Sequence, residues 1–131
     1  MKKFLTFLAS LFLVSSLKAY SAGDPGFFYL MEDTYGTYEY LSENATSTTQ
    51  NYTGALQAIV IVPPQSSGNQ EIFVSMVDGY GGVWYEVDSG YMADGSKVYL
   101  MRTDAFHYYG TVQVVTWLSS SQGVWKQLYI Q

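Results

Sequence analysis

Cysteine is absent from this 131-residue chain, which excludes disulfides, thiolate metal sites and cysteine nucleophiles. Histidine occurs once, as His107, so a zinc or copper site would need carboxylates for nearly all its ligands, which those metals seldom accept. Positive charge is scarce, with six Lys and Arg against eleven Asp and Glu. No basic cluster exists to hold phosphates, so the composition argues against nucleic acid as a partner. Beyond the first two dozen residues, no stretch has apolar residues at helical spacing with helix-favouring neighbours.

What the chain does contain is aromatic and apolar. Nearly half of its residues are hydrophobic and 18% are aromatic, including 13 tyrosines, which is ample for a packed core without cross-links. The N-terminus reads as an export signal: Met1, Lys2 and Lys3 form the charged start, and Phe4 to Leu17 an apolar run too short to span a bilayer comfortably. Ala19-Tyr20-Ser21 offers a cleavage site, so residues 1–21 are expected to be a cleavable signal peptide and 22–131 a single domain. Cleavage leaves Lys97, Arg102 and Lys126 as the cations, an acidic protein released to the periplasm or the exterior and not held at the membrane. An exported domain without disulfides fits a bacterial origin.

The remainder punctuates itself into short runs. Candidate strands are Phe27 to Glu32, Tyr38 to Ser42, Ala55 to Val62, Glu71 to Val77, the two runs inside Asp78 to Asp104, Thr111 to Leu118 and Val124 to Ile130. Ala55 to Val62 is apolar on both faces from Ala58 onward and so belongs at the centre of a sheet. The polar segment from Glu43 to Gly54 reads as an exposed loop; its two Asn-X-Thr triplets, at Asn44 and Asn51, arise readily by chance in such composition. Short connections favour antiparallel hairpins. The fold expected is all-β: an antiparallel, jelly-roll-like β-sandwich of about eight short strands, with a small closed β-meander barrel as second choice. An outer-membrane barrel fits less well, because most strands are shorter than the roughly nine to eleven residues a bilayer requires.

The stretch from Asp78 to Asp104 carries the most suggestive chemistry. Simple alternation puts Val83, Tyr85 and Val87 on a core face and Trp84, Glu86 and Asp88 on a wet one. Two carboxylates two residues apart on a strand point in parallel about 7 Å apart, whereas a glycosidase pair faces across a cleft. Nothing resembling a nucleophile elbow surrounds Ser119 to Ser121, and His107 lies in an aromatic connection. No stretch carries a family motif. The reading is therefore a non-enzymatic exported binding module, with Trp84, Glu86, Asp88 and Tyr91 as ligand-binding residues and glycan as ligand class, since exposed aromatic rings stack on sugars beside hydrogen-bonding acids.

Calcium is the one cofactor the turns invite, through Asp78, Asp88, Asp94 and Asp104 beside glycines, although Asp-Gly is also ordinary turn chemistry. The alternative is a structural or protein-interaction role, as a surface-assembly subunit or a small inhibitor of a secreted enzyme, with homo-oligomerisation through edge strands.

Overall fold

Alternating runs bounded by Gly, Asp and Pro leave the backbone few options other than strand and turn. The computed structural model describes residues 26–64, 73–78, 83–103, 110–117 and 123–131; the side chains of 73–78, 83, 115–117 and 123–125 are not part of that description. The export segment, His107 and Ser119 to Ser121 lie outside the described residues.

Among the described residues eight strands form in chain order: β1 (Phe27–Asp33), β2 (Tyr38–Tyr40), β3 (Leu56–Val62), β4 (Phe73–Asp78), β5 (Val83–Tyr91), β6 (Lys97–Thr103), β7 (Gly110–Trp117) and β8 (Gly123–Ile130). The protein is all-β, as the alternation implies. All strand pairs are antiparallel, and their order across the sheet is β2-β1-β3-β6-β5-β4-β7-β8. The hairpin-linked strands β4, β5 and β6 are flanked by β7 beside β4 and β3 beside β6, so two Greek-key arrangements share one meander.

Register assigns the side chains to faces, because residues directly opposite on neighbouring strands point the same way. Met31, Ala58 and Met101 lie side by side on what is here termed the inner face, as do Phe28, Val60 and Tyr99. Trp84, Val112, Val114, Leu128 and Ile130 join them in one buried cluster, together with Leu41 and Tyr52 from the segments flanking β2 and β3. Side chains from β1, β3, β5, β6, β7 and β8 can meet in a single cluster only if the sheet curls around them. Each fully buried aliphatic side chain there contributes roughly 1.5–3 kcal/mol.

The reverse face carries a second cluster, Phe27, Leu30, Ile59, Ile61, Val98 and Leu100, with Tyr29 and Met92 packed against it. Hence β3 is buried at all seven positions, in keeping with its two apolar faces.

The segment after β2 is a mostly exposed loop, as expected, but it is anchored at positions that nothing in the sequence marks. Thr48 and Tyr52 are buried, and Ser47 forms a parallel bridge with Tyr129 of β8. Thr48 N donates to Tyr129 O at 2.8 Å and Tyr129 N to Thr46 O at 2.9 Å, which ties the segment leaving β2, at one end of the strand order, to β8 at the other. A polar composition does not prevent packing when the chain satisfies its own backbone, and here a carboxylate does so. Glu39 of β2 accepts from Thr49 N, Gln50 N, the Thr49 hydroxyl and the Tyr52 hydroxyl, the last at 2.8 Å. Burial alone would push the Glu39 carboxyl up, but these four donors outweigh it and hold it below the usual carboxylate range.

The preceding turn follows the same logic. Asp33, fully buried, accepts from Tyr35 N at 2.9 Å and Thr37 N at 3.0 Å through Oδ1, and from Thr53 N at 2.9 Å through Oδ2. One side chain thus closes the β1–β2 turn and pins the segment entering β3.

Candidate functional site

The β5–β6 hairpin is organised by its turn. Met92 N donates to Ser96 O and Gly95 N to Met92 O, Gly95 has φ 91°, and Asp94 Oδ1 accepts from Ser96 N at 2.8 Å. A glycine in the left-handed region at the end of a three-residue loop is standard hairpin chemistry, and it sets the register Tyr91↔Lys97, Gly90↔Val98 and Ser89↔Tyr99.

Further along, the register slips. Asp88 pairs with Leu100, but Glu86 pairs with Met101, leaving Val87 as the extra residue of a β-bulge. Met101 belongs to the inner cluster and Leu100 to the reverse one, so Glu86 and Asp88 lie on opposite faces of the sheet. Trp84 is 4% exposed and lies within the inner core, where its Nε1 finds no acceptor among the described residues. Tyr85 and Val87, which alternation assigned to the core, are 43% and 42% exposed; the side chain of Val83 lies outside the described residues.

The expected faces of this strand are therefore corrected twice. The indole points into the core, and the acids do not share a surface. The bulge parts the acids; the indole turns inward because β5 pairs with β4 at Met76↔Trp84 and Val77↔Val83, the two pairs among the described residues. Beyond Trp84 it pairs, among the described residues, with β6 alone, and both of its sides stand open to solvent.

What the register does bring together is Glu86, Ser89, Tyr91 and Lys97, on the inner-face side where the hairpin extends past the core. Tyr91 is 72% exposed. Lys97 Nζ sits 5.4 Å from the centre of the Tyr91 ring and 4.7 Å from that of Tyr99, within cation–π range. Burial works against the Lys97 charge, but Tyr99, Tyr91 and Glu86 outweigh it and raise the ammonium above its ordinary range. The Tyr99 hydroxyl is itself pushed up, by burial first. A cation beside two tyrosine rings, an acid, a hydroxyl and an open ring thus share this face of the hairpin. Lys97 was not among the residues singled out from sequence, although counting outward from Asp94-Gly95 would have paired it with Tyr91.

On the reverse face the same hairpin borders a cavity of about 340 Å³, lined by Asp88, Ser89, Gly90, Tyr91, Met92, Val98 and Leu100. A second aromatic group, Tyr29, Tyr38 and Tyr40, lies at the β1–β2 edge, with Tyr29 and Tyr40 rings 5.6 Å apart and Tyr38 and Tyr40 rings 6.0 Å apart, both edge to face. Of the aspartates considered for calcium, Asp88 caps Ser89 N and Asp94 caps Ser96 N, and Asp104 lies outside the described residues. Among the described residues no three acidic or histidine side chains gather as a metal site would require. No protein-family model matches the chain, and no curated protein matches it in sequence.

Proposed function

We propose that this chain is an exported, non-catalytic binding module whose contact surface is the hairpin area of Tyr91, Glu86, Ser89 and Lys97, and whose ligand class is glycan. The observation that carries the reading is the Tyr91 ring, 72% exposed, with a cation beside it and an acid and a hydroxyl on the same face of the hairpin. An open tyrosine face stacks on the apolar face of a sugar ring, while the neighbouring polar groups exchange hydrogen bonds with its hydroxyls. Trp84 takes no direct part in this version of the site; it supports the strand from within. Export through residues 1–21 to the periplasm or exterior, and a sandwich in which β4, β7 and β8 face the other five strands, belong to the same proposal. The narrow junction at Trp84 and the shared core favour the sandwich over a closed barrel.

The test is a glycan array followed by polysaccharide pull-down, with and without calcium, using wild type and Tyr91→Ala. Binding that Tyr91→Ala removes at unchanged thermal stability supports the reading. Absence of binding by the wild type, or binding indifferent to Tyr91, overturns it.

A second reading has its own observation. From Glu86 to Tyr91 the outer edge of β5 pairs with no other strand among the described residues, and open edges accept strands from partners. The bulge at Val87 and the two acids are the devices by which edges resist such pairing, which ranks this reading second. Light scattering checks it: a concentration-dependent oligomer that Val87 substitutions disrupt would support it, and a strict monomer would remove the self-association version.

A further inference from the structure

The cavity behind the hairpin is centred on the reverse face, with Ser89 and Tyr91 at its border, and is built differently from the Tyr91–Lys97 area. Its wall is apolar: Val98 and Leu100 are buried members of the reverse-face cluster, and Met92 packs against them. Its size falls in the range of small-molecule sites, which begins at roughly 300 Å³. Among the described residues Asp88 is the single charged one in its lining. The Asp88 Oδ1 atom accepts from Ser89 N at 2.8 Å, and among the described residues Oδ2 accepts no hydrogen bond. The cations of the hairpin are engaged elsewhere: Lys97 lies with Tyr91 and Tyr99 on the other face, and Arg102 donates to Gln57 Oε1 at 2.7 Å and 3.2 Å. Gly90, paired with Val98 and so on this face, leaves open space where a side chain would stand, with nothing within 4 Å of a Cβ placed there.

We propose that this cavity is a second binding site, for a small organic cation with a flat or short-chain apolar body. The body packs on Met92, Val98 and Leu100, and the ammonium group meets the open oxygen of Asp88. The charge selects the ligand: a carboxylate of the same shape is repelled by Asp88 in a protein with net charge −5. A neutral alcohol of that shape keeps the apolar contact and loses only the ion pair. This site does not depend on the glycan reading: Ser89 and Tyr91 border both surfaces, but its acid and its apolar wall, Asp88, Met92, Val98 and Leu100, take no part in the glycan surface.

The experiment is an amide NMR titration of the isotope-labelled full chain with benzylamine, benzyl alcohol and benzoate. Benzylamine is expected to bind saturably in the millimolar range or tighter, with shifts centred on Gly90, Met92, Val98 and Leu100, and benzoate at least about tenfold more weakly. Asp88→Asn should weaken benzylamine about tenfold and leave benzyl alcohol unchanged. Gly90→Phe, which projects a ring into the cavity without a left-handed backbone to strain, should abolish binding of all three. Lys97→Gln should leave benzylamine binding intact while altering any glycan binding. Absence of saturable binding, equal affinity for benzoate, or benzylamine binding indifferent to Asp88→Asn would each overturn the proposal, and the conservative Asp88 variant keeps the test valid should Gly90→Phe fail to fold.

Discussion

Glu86 and Asp88 are two residues apart on one strand and lie on opposite faces of the sheet, because the register slips between them. Alternation over a bulge reverses every assignment beyond it. Which side of β5 faces the core is a separate matter, set before the bulge, and is measurable at two residues that the reading from sequence ranked the other way. Trp84→Ala should destabilise by about 3–5 kcal/mol in urea unfolding, since it empties a core position. Val87→Thr should change stability by no more than about 0.5 kcal/mol, as expected of a surface position. The opposite ranking would return Trp84 to the solvent face and Val87 to the core.

Acid should loosen the segment that joins β2 to β8. The folded Glu39 carboxyl titrates below its unfolded value, so its stabilisation is complete above about pH 4.5 and is lost as pH falls through the folded pKa. Glu39→Gln is expected to lose about 1–3 kcal/mol at neutral pH. The gap between wild type and variant should then close at lower pH. Chemical unfolding from roughly pH 3 to 7 checks this; a gap independent of pH would assign the loss to packing and not to charge.

Two glycines separate backbone strain from crowding. Gly36 and Gly54 both have positive φ, 91° and 87°, but a Cβ on Gly36 meets nothing within 4 Å, whereas one on Gly54 would collide with Thr34 Oγ1 and crowd the Tyr35 ring. Gly36→Ala should therefore cost about 1–2 kcal/mol, the left-handed penalty alone. Gly54→Ala should cost more, about 2–4 kcal/mol, because the entry to β3 must also shift. Equal losses by thermal unfolding would mean that Thr34 simply rotates away.

Legibility varied by element. Six of the described strands emerge within a residue or two of the runs read from sequence, and the other two fall inside Asp78 to Asp104 as read, because turn residues and alternation are local signals. The position of β3 at the centre was legible too, from its two apolar faces. The anchoring of the Glu43 to Gly54 segment was not, since nothing local marks Glu39 as the acceptor for donors ten to thirteen residues away. At the candidate site, the exposure of Glu86, Asp88 and Tyr91 matched the reading from sequence, the burial of Trp84 did not, and Lys97 emerged only through the register of the hairpin.

The sequence by itself determined an all-β chain of short antiparallel strands with acidic, tyrosine-rich turns, because those properties depend on period, turn chemistry and composition. The tertiary structure decided which side of β5 faces the core, that Glu86 and Asp88 part company, and that the segment after β2 bridges to β8. The first depends on the pairing of β5 with β4 at Trp84, the second on a single extra residue and the third on a distant carboxylate. A period of two carries no memory of an insertion, and a hydrogen bond between remote segments leaves no mark on either one alone.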